Sequence, residues 1–338
     1  MKMYLESGYI NMEEILKNDY TFVFIAGGRG TGKTYGGLLS LLHMQNEYKI
    51  NRFMYLRRTQ KEVDAVSSNS TLPFKKINDD KGLDVGVKTI RSDFYGYILD
   101  DEYIGYSCAL STFENLRGVD FSDVDIIFYD EFIPKKRSYV IKDEYETLLN
   151  LYETVNRNRE LEGFAPCKLV CCSNSNFLAN KIFLGLNVIP QLEKILLQGG
   201  GTYYDKERSL QIIILKDSPI SEKKSTTALY RLSAGTAFAD MALGNEFADN
   251  DNDLIRPSNI KQYTLLTTIT GIAIYKHKSY NEYYCCSYDK TPVFTSSERD
   301  LEKFRLKYWY LSNRYIDGEI FFENLLTKYT FMAYNKLR

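Results

Sequence analysis

Short apolar runs alternate with longer stretches of helical period over the first two-thirds of the chain. Residues 20–26 (YTFVFIA) have the density of a buried strand, and Leu38, Leu39, Leu41, Leu42 and Met44 recur at helical spacing between Tyr35 and Tyr48. Residues 52–58 (RFMYLRR) predict a second strand, and residues 66–92 a polar, turn-rich surface excursion. Tyr95 to Leu110 alternates enough for one or two strands. Val124 to Glu131 reads as a buried strand ending on two acids. Lys142 to Asn156 sets Tyr145, Leu148, Leu149, Tyr152 and Val155 at helical spacing. Cys167 to Cys172 predicts another strand, Ile182 to Leu197 is apolar with a mixed period, and Leu210 to Leu215 is the last strand of this part. Strands alternating with helices predict an α/β domain over residues 1–217, its sheet mostly parallel and covered on both faces.

The pattern changes near residue 218. Residues 218–260 are polar and loop-rich, a linker or lid with short helical stretches around Thr226 to Leu232 and Thr236 to Leu243. Tyr263 to Thr268, Gly271 to Tyr275 and Glu282 to Tyr288 predict an antiparallel meander, and Glu298 to Leu311 and Phe321 to Tyr334 predict helices. Residues 261–338 therefore form a smaller α+β domain. The acidic stretch 249–253 hints at a calcium loop. Leu254 and Ile260 stand where that loop needs Gly and Glu, so a solvated turn is expected.

Composition narrows the class without naming a chemistry. The chain has 338 residues, 44% hydrophobic and 14% aromatic, enough for large cores in two domains. Its net charge of −1 means that any surface for nucleic acid must be local. No apolar stretch approaches a membrane span, and the first residues lack the basic-then-apolar pattern of a secretory leader. Six cysteines without zinc spacing, beside only two histidines (His43 and His277), predict reduced, buried thiols in a cytoplasmic protein.

The chemistry is concentrated at Gly27, Gly28, Arg29, Gly30, Thr31, Gly32, Lys33 and Thr34, which fit the phosphate-binding P-loop. The preceding strand and following helix place backbone N–H groups and the positive end of a helix dipole around a phosphate. Lys33 would reach the β- and γ-phosphates of ATP, and the Thr34 hydroxyl would bind Mg²⁺. About a hundred residues downstream, Ile126 to Tyr129 run into Asp130 and Glu131, a Walker B pattern. Asp130 would hold the Mg²⁺ and Glu131 would orient the attacking water. With Lys33, these groups supply most of what phosphoryl transfer needs. The strand seen between the P-loop and Asp130 marks the ASCE division of these ATPases, which commonly work as rings completed by a neighbour's arginine. Arg157 and Arg159 are candidates for that arginine, or simply cations at a helix C-terminus. Ser173 and Asn174 could sense the γ-phosphate. Arg29 could contact a phosphate or swing towards Glu131. Lys49, Arg52, Arg57, Arg58, Lys61, Lys75, Lys76, Arg117, Lys135, Lys136 and Arg137 could track DNA phosphates around a pore.

The segments GGRGTGKT, IIFYDEFI, LLNLYETVNRNRE and CCSNS, in this order and spacing, resemble the DNA-packaging (encapsidation) ATPase of small tailed phages, the Picovirinae-type podoviruses. The resemblance is strong from about residue 20 to 175 and weak beyond 250. It implies a ring motor, expected to be a pentamer, that drives double-stranded DNA through a portal into a procapsid, with Arg157 acting in trans and Arg117 near the subunit interface. It also implies work in the infected host's cytoplasm and leaves room for a structural packaging RNA. Related proteins carry an RNase H-like nuclease at the C-terminus, but here no Asp or Glu occurs from Ile260 to Asn281. A nuclease-dead domain is therefore expected. Rival readings are another ASCE ring translocase or phage assembly ATPase, a nucleotide-locked structural protein and, more distantly, a small-molecule kinase.

Overall fold

The computed structural model describes residues 2–48, 50–134, 141, 143–174, 180–215, 218–233, 235–236 and 254–337. The chain divides into two compact units, one of residues 1–186 and 194–248, the other of residues 187–193 and 249–338. The described elements up to residue 232 are α1 (Met12–Leu16), β1 (Phe22–Gly27), α2 (Lys33–Tyr48), β2 (Arg52–Arg57), α3 (Gln60–Asp64), α4 (Lys75–Lys81), β3 (Gly86–Arg91), β4 (Phe94–Leu99), β5 (Glu102–Ala109), β6 (Val124–Asp130), α5 (Glu144–Asn156), β7 (Lys168–Asn174), α6 (Lys181–Gly185), α7 (Ile189–Leu197), β8 (Gly201–Asp205), β9 (Leu210–Leu215), α8 (Pro219–Ser225) and α9 (Ala228–Leu232).

The nine strands form one sheet in the order β3-β4-β5-β2-β6-β7-β1-β9-β8. β5, β2, β6, β7, β1 and β9 run parallel, with antiparallel pairs only at the two ends. The strand lying between β1 and β6 is β7, which follows β6 in the chain. The strands between the P-loop and Asp130 in sequence, on which the ASCE expectation rests, lie elsewhere in the sheet, because crossovers and not sequence order set the neighbours. Register aligns Gly27 with Asn174 and Asp130 with Cys172, so the C-terminal ends of three strands share one rim. On one face Val23, Ile25, Leu38, Leu41 and Phe128 lie in the core. On β1, Phe24 packs edge-on against Phe132 and Phe183.

Two elements lie within the expected excursion of residues 66–92. α4 buries only Ile77, and β3 is largely exposed along its length, so neither carries a hydrophobic period to read. β8 is likewise an unheralded, part-exposed edge strand.

In the second unit β10 (Tyr263–Ile269), β11 (Gly271–His277) and β12 (Tyr283–Tyr288) form an antiparallel meander. α10 (Glu298–Lys307) and α11 (Tyr310–Ile316) then lead to β13 (Ile320–Phe322), which joins β12 in parallel, and to α12 (Leu325–Tyr334). Phe321, expected in a helix, thus lies in a strand, and Asn324 accepts from the Thr327 N–H to start α12 at Leu325, four residues later. Ile272, Ile274, Cys285, Phe304, Leu311 and Phe331 form the main core of this unit.

Candidate active site

The site is built where β1 turns into α2. A Cβ on Gly27 would lie 2.6 Å from the Leu215 Cβ, and Gly30 and Gly32 hold φ of +69° and +91°, so glycine answers both crowding and left-handed backbone. Lys33 opens α2 and folds back, its Nζ donating to the carbonyls of Gly27 (3.0 Å) and Gly28 (2.8 Å) and to the Thr31 hydroxyl (3.1 Å). Burial pushes its ammonium down to about 8, against the opposing pull of Cys172, Glu131 and Asp130. A buried cation at the N-terminus of a 16-residue helix is suited to a phosphate anion.

Asp130, at the end of β6, is buried and accepts from the Thr34 hydroxyl at 3.1 Å on both oxygens. It also accepts from the Tyr55 hydroxyl (3.0 Å) and Arg57 Nη1 (3.1 Å). Tyr55 and Arg57 lie two apart on β2, the strand beside β6, and so point to the same side. Only knowledge of that strand pairing could have linked them to Asp130. Glu131 leaves the strand at φ +60°, its N–H donating to the Cys172 carbonyl at 2.7 Å. Asn174 Nδ2 donates to Glu131 Oε1 at 2.7 Å. A non-glycine residue in left-handed backbone is a strained conformation of the kind that clusters at functional sites. The Ser173 hydroxyl, by contrast, accepts from the Ile133 N–H.

The P-loop residues, Asp130, Glu131 and Asn174 are thus brought together. Other candidates stand apart. Arg57 is tied to Asp130, and Arg58 is buried against Glu144 at 2.7 and 3.1 Å, so neither is a surface cation available to DNA. Arg29 and Lys61 are exposed, and Arg117 is exposed beside Glu114 at 3.2 Å. Lys49, Lys135, Lys136 and Arg137 lie outside the described residues, as do the acidic stretch 249–253 and most of the helical stretch from Thr236. Arg157 ends α5 at φ +45°, and its guanidinium donates to the Val119 carbonyl at 3.1 Å and lies 3.7 Å from Asp120. Val119 and Asp120 precede β6, whose far end carries Asp130. A seven-residue strand spans roughly 20 Å, so Arg157 stands at the opposite end of the sheet from its own P-loop. Arg159 pairs with Asp125 at 2.8 Å at that same end.

Beside the P-loop, a cleft of about 700 Å³ is lined by Tyr9, Met12, Tyr35, Leu39, His43 and Asp80. This volume is of ligand size. Its N-terminal wall was not foreseen from sequence, because Tyr9 and Met12 meet α2 only through the fold. All six cysteines are buried and unbridged. Among the described residues no helix is long and apolar enough to cross a membrane.

The sequence pattern of the Podovirus DNA encapsidation protein (Gp16) family matches residues 4–301. The DNA packaging protein of Bacillus phage PZA is 30% identical over 259 residues, covering 74% of this chain and 69% of that protein. The DNA packaging protein of Bacillus phage phi29 is 30% identical over 251 residues, covering 72% and 67%. The fold is similar to that of a chain of the bacteriophage Phi-29 viral genome packaging motor assembly, at a TM-score of 0.70 and 22% identity, covering 98% of this chain and 99% of that one. The corresponding values for the Phi-28 gp11 DNA packaging motor are 0.66, 20%, 98% and 99%. A family match over residues 4–301, with relatives at 30% identity over about 250 residues, shows that the chain belongs to the Podovirus DNA encapsidation protein family.

Proposed function

We propose that this chain hydrolyses ATP to drive double-stranded DNA through a portal into a procapsid, as a ring whose active sites are completed between subunits. The observation that carries the reading is the shared rim on which Lys33, Thr34, Asp130, Glu131 and Asn174 converge. Lys33 and the α2 N-terminus bind the phosphates, and the apolar cleft beside Tyr35 receives the base. The Thr34 hydroxyl and Asp130 carboxylate are hard oxygen donors 3.1 Å apart and fit Mg²⁺. That ion would offset charge on the phosphate oxygens. Glu131, held by Asn174, orients the attacking water. Arg157, remote from its own P-loop, supplies the trans cation.

The names of the phage relatives support DNA as the substrate, and the likeness in fold to chains of packaging motors supports work as part of an assembled motor, which would place it in the host cytoplasm. A packaging RNA belongs to the same proposal. No nuclease activity is expected. In the second unit Glu282 is paired with Arg256 at 2.7 Å, Glu319 with Arg314 at 2.7 Å, and Glu323 accepts from Ser287. Full-length protein incubated with plasmid and Mg²⁺ or Mn²⁺ should leave the DNA intact.

The deciding experiment is steady-state ATP hydrolysis with and without double-stranded DNA, beside Glu131→Gln. DNA should stimulate turnover, and the substitution should lower kcat by about 10²-fold or more while nucleotide still binds. Turnover unchanged in Glu131→Gln would overturn the reading.

A further inference from the structure

The connection from α5 to β7 is a braced projection. The Glu162 N–H donates to the carbonyls of Asn158 (3.0 Å) and Arg159 (3.1 Å), and the Phe164 N–H to that of Arg159 (2.8 Å). Arg159 is clamped to the Ser122 carbonyl and to Asp125, both at 2.8 Å. The Asn156 side chain joins Glu160 to the Cys167 N–H. On this frame Leu161 is 88% exposed and Phe164 65% exposed. One exposed apolar side chain is ordinary, but two held outward on a hydrogen-bonded loop, next to Arg157, form a patch that needs a partner. Glu160 and Glu162, both exposed, give it negative charge.

A rim of mixed but net basic charge borders the P-loop, where the exposed Arg29, Lys223 and Arg231 outnumber the exposed Glu6 and Glu222. α8 is tied to it by Lys224, which donates to the Arg29 carbonyl, and by Lys223, which donates to the Ser7 carbonyl at 3.1 Å. This rim exposes Arg29 and Lys223, with Leu5 and Tyr9 beside them and Leu229 and Leu232 on α9, which packs on α8. The acidic patch lies at the N-terminal ends of β6 and β7, and the basic one at the C-terminal end of β1. The length of the sheet keeps them apart within one chain, so they can meet only between chains. Pairing of two different patches is head-to-tail and closes into a ring when the rotation allows.

We propose that residues 157–166 are the knob by which each copy of this chain docks on the P-loop rim of the next. Leu161 and Phe164 supply the apolar contact, Glu160 and Glu162 face Arg29 and Lys223, and the same docking delivers Arg157 to the neighbour's nucleotide. This inference rests on the reading of Arg157 as a trans-acting cation.

Sedimentation velocity of the full-length chain with ATPγS and Mg²⁺, over a range of protein concentration, tests it. The wild type should self-associate, and Leu161→Ser/Phe164→Ser should do so at least about tenfold more weakly, since burying such side chains dominates interface energetics. Its melting temperature and its affinity for a fluorescent ATP analogue should match the wild type, because both side chains face solvent in the monomer. Glu162→Lys should weaken association, and mixing it with Lys223→Glu should restore it. Two results would overturn the proposal: a wild type that stays monomeric with nucleotide, or a double variant that associates as the wild type does. Normal self-association with lost binding to portal-bearing procapsids would also overturn it, assigning the loop to the portal. Full turnover by associated Arg157→Ala would instead remove the finger and leave the knob standing.

Discussion

Asn174 illustrates how one side chain can tune a site that it does not build. Its amide donates to Glu131 Oε1 while Glu131 itself sits in left-handed backbone, so the carboxylate is aimed by two constraints at once. Asn174→Ala should lower kcat by roughly tenfold, the effect of misplacing a positioned group, with little change in KM. Steady-state kinetics check this. Lys168 offers a test unrelated to catalysis. Burial lowers its pKa to about 8, and its ammonium donates to the carbonyl and side chain of Asn18. The folded-state value lies below the unfolded one, so between about pH 8 and 10.5 the unfolded chain binds more protons. The contribution of this residue to stability therefore rises with pH across that window. Lys168→Met should lack this rise, so the stability of wild type minus variant should increase by about 1–3 kcal/mol from pH 8 to 10.5 in urea titrations.

Elements become a site only through how closely they pack. A Cβ on Gly37 of α2 would come within 2.4 Å of the Phe128 ring of β6, and Phe128 is fully buried and stacked on Tyr55. That close approach helps set the P-loop helix against the strand carrying Asp130. Gly37→Ala gains helix propensity, but the ring has no room to yield. A net loss of about 1–3 kcal/mol is expected in urea unfolding, with nucleotide affinity reduced as α2 shifts. Elements with a buried face, such as β1, α2, β6 and α5, were readable because burial imposes a period. α4, β3 and β8 bury too little to impose one.

For the whole molecule, a phage DNA-packaging protein, the decisive geometry is the separation of Arg157 from its own P-loop. Arg157→Ala should bind ATP normally and lose about 10³–10⁵ in turnover. Mixed with Lys33→Ala chains, it should regain measurable hydrolysis, because one chain then keeps the P-loop and its neighbour the arginine. ATPase assays of the separate and mixed proteins decide it, and absence of recovery would place Arg157 in a structural role.

The sequence by itself determined the phosphate loop, the paired acids and the alternation of strands and helices. Each is a contiguous stretch whose chemistry depends on its own backbone and burial. Only the tertiary structure decided that β7 lies between β1 and β6, that Tyr55 and Arg57 reach Asp130, and that Arg58 is buried against Glu144, 86 residues away. It also decided that Arg157 stands at the opposite end of the sheet from its own P-loop. These follow from crossovers and strand order, which bring distant residues together by packing, and no local period along the chain records which strands become neighbours.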